Sequence, residues 1–128
     1  MSQFNQGDYY ACHDTLEALW MVAEPAERQF YQGILQLAVG LYHLGNRNWQ
    51  GAATLLGEGR HRLRSYCPSY GGIDVDDLLH RTESWLMALQ QLGQANVAVL
   101  ATASQSQDDI SLAGLEAPLP ALHIRQVP

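Results

Sequence analysis

Between Ala26 and Leu44, apolar residues occupy almost every side of a helix. Phe30, Ile34, Leu37, Leu41 and Leu44 form one stripe at spacings of three and four, and Leu35, Ala38 and Tyr42 carry it most of the way round. A helix apolar on nearly all sides is stable only when other elements cover it. The rest of the chain must therefore supply that cover, and this segment is expected at the centre of the fold. Glu27 in its first turn suits the positive end of the helix dipole, and Gly45-Asn46 supplies a stop.

Three further segments have helical spacing. From about Asp8 to Ala23, Tyr9, Cys12, Leu16, Leu19, Trp20 and Ala23 share a face; Asp8 caps the start and Pro25 ends the run. From about Asn48 to Tyr66, Trp49, Ala52, Ala53, Leu56, Leu63 and Tyr66 are expected to face the core. Gly51, Gly57 and Gly59 each weaken that helix by roughly 1 kcal/mol against Ala, which points to a tight crossing with another backbone. Pro68, Gly71 and Gly72 make a loop. From about Asp74 to Leu92, Leu78, Leu79, Thr82, Leu86, Leu89 and Leu92 repeat at three and four, and Gly93 follows as a stop. No period-two alternation of β-branched residues marks a strand.

The expected architecture is all-α: a compact bundle of four main helices over residues 1–93, then a weakly structured or extended tail over 94–128. Ala95 to Ala103 reads as a weak helix and Ser104 to Ser111 as a polar linker. Leu119, Leu122, Ile124 and Val127 can dock on the bundle or on a neighbouring subunit.

The 128 residues suit one domain. A net charge of −6 repels phosphate backbones, so no nucleic-acid partner is expected. Cys12 and Cys67 sit in no ligand spacing and point to a reducing compartment. The first residues show no basic region followed by an apolar stretch. The most apolar run, Ile34 to Leu44, is about half the roughly 20 residues a membrane span needs. A soluble, cytoplasmic protein is expected, with no membrane partner.

The chemistry-bearing residues gather on two helices. His13 and Glu17 lie one turn apart and about 40° apart around the axis, with Trp20 on the same side. On the central helix, Gln32, Gln36 and His43 form a narrow polar stripe, with Gln29 nearby. Unpaired buried polar groups cost about 1–3 kcal/mol each, so this stripe must find partners. The His13-Glu17 edge is the natural one if the two helices pack antiparallel. One reading is a satisfied hydrogen-bond network. A second is a divalent metal held by His13, Glu17 and His43 in an open three-ligand site, and a third is acid–base chemistry without metal. His13-Asp14-Thr15-Leu16-Glu17 is not the zinc-protease helix, because it lacks both the second His and the Glu after the first.

Other features are weaker. Arg60, Arg62 and Arg64 point to different sides of a helix and read as a solvated face. Trp49 and Trp85 read as packing aromatics. Neither cysteine has the surroundings of a nucleophile. A small-ligand pocket built from Tyr9, Tyr10, Trp20 and Tyr42 is a further expectation, since pockets between bundle helices are common.

With these residues in view, the chain resembles the domain-of-unknown-function 309 family. The matching stretches are Phe4-Asn5-Gln6-Gly7-Asp8-Tyr9, then His13-Asp14 with Glu17 and Trp20. Arg28, Gln32-Gly33-Ile34-Leu35-Gln36-Leu37-Ala38 and His43 follow, and Asn48-Trp49-Gln50-Gly51-Ala52 and Tyr70-Gly71-Gly72-Ile73-Asp74 complete it over about residues 4–92. The family pattern usually has Glu after the first histidine, where this chain has the shorter Asp14. The resemblance implies a small helical bundle, found mostly in bacteria, archaea and plastid-related lineages, and no established activity.

Two functions from different classes follow. The first is a structural or interaction module with a buried His/Glu/Gln network, forming a homo-oligomer through the apolar tail or exposed aromatics. The alternative is a metal-binding protein or metal-dependent hydrolase using His13, Glu17 and His43.

Overall fold

In the computed structural model, which describes residues 2–128, six helices and one small hairpin follow in order. They are α1 (Ser2–Asn5), α2 (Tyr9–Val22), α3 (Pro25–Gly45), α4 (Trp49–Leu63), β1 (Ser69–Tyr70), β2 (Ile73–Asp74), α5 (Val75–Leu92) and α6 (Val97–Ala103). Short 3-10 turns extend α4 at Arg64–Tyr66 and precede α6 at Gln94–Asn96. The fold is mostly helical.

The all-round apolar α3 is central. Phe30, Ile34, Leu37, Ala38, Leu41 and Leu44 are all buried, covered by α2 on one side and α4 on the other. The close crossing expected of glycines exists, but it is shared differently. A Cβ on Gly59 would lie 2.9 Å from the Gly33 carbonyl oxygen, and one on Gly33 would lie 2.6 Å from Leu63 Cγ. Gly57, by contrast, faces open space. So α3 contributes Gly33, α4 contributes Gly59, and the two backbones meet at a distance no side chain allows.

The helix starts match their capping residues. Asp8 accepts from the Ala11 amide, Asn48 from the Gly51 amide at 2.9 Å, and Asp74 from the Asp77 amide at 3.0 Å. The stop after α3 is placed one residue later than Gly45-Asn46 suggests: Arg47 is the residue in the left-handed region, at φ 61°.

The face expected for α2 holds only in its first half. Cys12 and Leu16 are buried, while Leu19 and Trp20 are exposed. The strand expectation also needs correction, because β1 and β2 pair antiparallel around Gly71-Gly72, both at positive φ. Two-residue strands are too short to show alternation, and the glycine pair was legible only as a turn.

Residues after Gly93 run back across the bundle. Leu119, Ala121, Leu122 and Ile124 are buried. Trp85 Nε1 donates to the Pro120 carbonyl at 2.8 Å, and Arg81 Nη1 to that of Ala121 at 2.7 Å. Asn5 clamps Ile124 twice: Oδ1 accepts from its amide at 2.7 Å and Nδ2 donates to its carbonyl at 2.9 Å. Gln126 bridges Ile73, so the tail lengthens the hairpin sheet by one rung. Of the apolar tail residues expected to dock, Leu119, Leu122 and Ile124 are thus occupied within the chain, while Val127 stays exposed. Among the described residues, no helix is long and apolar enough to cross a membrane.

Candidate functional site at the α2–α3 seam

The short turn between α2 and α3 sets them antiparallel, and the sequence-expected residues fall along their seam. The seam is stapled at the turn by Arg28, whose Nε donates to the Ala23 carbonyl at 3.0 Å while its guanidinium lies 5.2 Å from the Trp20 ring centroid. Trp20 therefore joins the turn and does not line the pocket expected of it.

The single polar network expected between α2 and α3 is instead two separate groups. Gln36 is buried, and both its amide atoms are used by α4: Nε2 donates to Glu58 Oε2 at 3.1 Å and Oε1 accepts from Arg62 Nε at 3.1 Å. Arg62 also donates to Gln29. The physical reason is the glycine crossing, which brings α4 close enough to α3 for Glu58 and Arg62 to reach Gln36. Arg62 is accordingly a bonded residue and not part of a solvated face. Gln32 is half-buried and makes no side-chain hydrogen bond among the described residues.

The second group lies on α2. His13 Nδ1 is 3.5 Å from Asp14 Oδ1 and 3.8 Å from Glu17 Oε2, and one ligand atom from each of the three residues lies within 4.8 Å of the others. His43 is not in that set. Its Nδ1 accepts from Asn48 Nδ2 at 3.3 Å, a consequence of the α4 cap standing beside it. A metal held by this surface would thus draw on His13, Asp14 and Glu17, with both carboxylates exposed.

His13 and His43 do meet in one feature. They line a cleft of about 200 Å³ together with Tyr9, Tyr10, Val39 and Tyr42. Tyr10 and Tyr42 pack across the seam, ring centroids 6.0 Å apart and inclined at 55°. Burial, with a smaller contribution from nearby Cys12, pushes the Tyr9 phenol up to about 12. Burial also pushes the Cys12 thiol up, with Asp8 adding to the shift. Three of the four residues expected to form an aromatic pocket are thus present. Val39 and the two histidines were missed as lining, because phase on one helix does not say what the neighbouring helix leaves uncovered.

The fold and this cleft define a small helical protein with an aromatic, histidine-lined seam between its second and third helices. Residues 1–55 match the family model described as a domain of unknown function (DUF309). That match takes in α1 to α3 and every residue of the seam; the resemblance read at Tyr70–Asp74 lies beyond it. The chain is also similar to the uncharacterized protein YpuF of Bacillus subtilis (strain 168), 42% identical over 50 residues, which is 38% of this chain. The chain spans 29% of that relative's length. No solved structure matches.

Proposed function

We propose that this protein is an interaction module that self-associates through the outer face of α2, with α2 to α5 as its four-helix frame. The observation that carries this reading is the exposed apolar surface at the end of α2: Val22 lies on its outward strip and Leu19 and Met21 flank it, Met21 at 66% and Val22 at 83% exposed. Such surface is disfavoured in water unless something covers it. The tail's Leu119, Leu122 and Ile124 do not cover it, because they are buried against the bundle.

A second copy fits this face. Ala11, Thr15, Ala18 and Val22 lie on one outward strip of α2 at spacings of three and four. A two-fold axis crossing the strip sets Thr15 against the partner's Ala18 and Ala11 against the partner's Val22. Small side chains then meet at the crossing, and no carboxylate faces its own copy. Sedimentation velocity is the test. The wild type should show a concentration-dependent dimer, and the double variant Met21→Glu, Val22→Glu a monomer with unchanged helical circular dichroism. A wild type that stays monomeric at the highest concentrations reached overturns the reading.

A divalent-metal reading at His13, Asp14 and Glu17 stands second. Its support is the reach of the three side chains to one point.

A further inference from the structure

We propose that the cleft between α2 and α3 binds a small organic ammonium ion. Five of its six lining residues carry aromatic rings: Tyr9, Tyr10, Tyr42, His13 and His43, with Val39 completing the floor. A ring face presents the negative part of its quadrupole, and cations seat over such faces within about 6 Å of the centroid.

Among the described residues, no Lys or Arg lines the cleft. On α2, the carboxylates of Asp14 and Glu17 stand 3.5 and 3.8 Å from Nδ1 of His13, one of the lining residues. On α3, the only charged side chains are Glu27 and Arg28 in its first turn, and Arg28 is committed to Trp20 and Ala23. Carboxylates beside aromatic walls suit a cation with apolar substituents, which loses less hydration on entry than a bare ion. An anion would meet repulsion from them, and a neutral apolar molecule would leave that field unused.

Size restricts the ligand further. About 200 Å³ is below the roughly 300–1,000 Å³ of pockets for drug-sized ligands. The space suits an alkylated ammonium head, with any longer substituent leaving through the open side beside Tyr10, which is 66% exposed. The Tyr9 phenol supplies a ring face and a neutral hydroxyl, never a phenolate, at neutral pH.

Choline is a suitable probe, and 3,3-dimethyl-1-butanol is its uncharged counterpart of the same shape. Titrating each into the full chain while following the NMR resonances of His13, Val39 and Tyr42 separates charge from shape. Choline should move these resonances saturably, and the uncharged alcohol should bind at least about tenfold more weakly. Tyr42→Phe keeps the ring face and should keep choline binding; Tyr42→Leu should abolish it. Equal binding of both probes overturns the proposal in favour of a plain apolar cleft, and no saturable shift with choline overturns it outright. Repeating the titration on the Met21→Glu, Val22→Glu variant keeps this outcome separate from self-association, because neither residue lines the cleft.

Discussion

Gly59 and Gly57 sit two positions apart on α4, and the structure gives them opposite roles. A methyl group on Gly59 would press to 2.9 Å from the Gly33 carbonyl oxygen and 2.9 Å from Leu37 Cδ2, whereas one on Gly57 meets nothing within 4 Å. Backbone cannot yield as a flexible side chain does, so Gly59→Ala should destabilise the fold by about 1–3 kcal/mol. Gly57→Ala fills open space on the uncovered side of α4 and should stabilise it by about 0.5–1 kcal/mol. Urea denaturation of the two variants beside the wild type checks both signs. The sequence marked three glycines on this helix as candidates for a close crossing and could not say which one met a backbone. That depends on Gly33 in α3, whose apolar neighbours hid it.

At the scale of elements, the apolar circumference of α3 was enough to place it centrally, and the capping residue Asp8 marked the start of α2. What the sequence did not reveal was which neighbour each polar residue would meet. Gln36 and His43 lie within about 40° of one another on α3, yet one bonds to Glu58 and Arg62 and the other to Asn48. Helix phase gives the direction of a side chain, and only packing gives its partner. Leu119, Leu122 and Ile124 could be read as docking residues, but where the tail docks was hidden, since its hydrogen-bonded anchors are backbone groups with no sequence signature. Those anchors make a prediction. Asn5→Ala removes both hydrogen bonds to Ile124 and should cost about 1–3 kcal/mol. It should also speed amide hydrogen exchange at Ile124 more than in the buried turns of α3.

For the molecule as a whole, alkaline pH should be the weak side. Tyr9 ionises near 10 when unfolded and at about 12 in the folded chain, chiefly through burial. A raised folded value means the native state holds its proton longer, so this contribution to stability is complete below about pH 10 and is lost as pH rises toward about 12. Cys12, shifted in the same direction, begins the decline at lower pH. Stability measured by urea should therefore fall on going alkaline, and Tyr9→Phe should flatten the part of the fall above pH 10. A slope unchanged by that substitution would remove Tyr9 as its source.

The double clamp between Asn5 and Ile124 has a temporal side. Synthesis runs from the first residue onward, and the two partners are separated by 119 positions. At roughly 5–20 residues per second, the side chain of Asn5 waits on the order of ten seconds for the strand that satisfies it. The indole of Trp85 and the guanidinium of Arg81 wait for the same segment. The helices can assemble on the ribosome, but the seal over them is made only once the segment around Ile124 has emerged. Until then the flank that this segment covers stays open in the nascent chain.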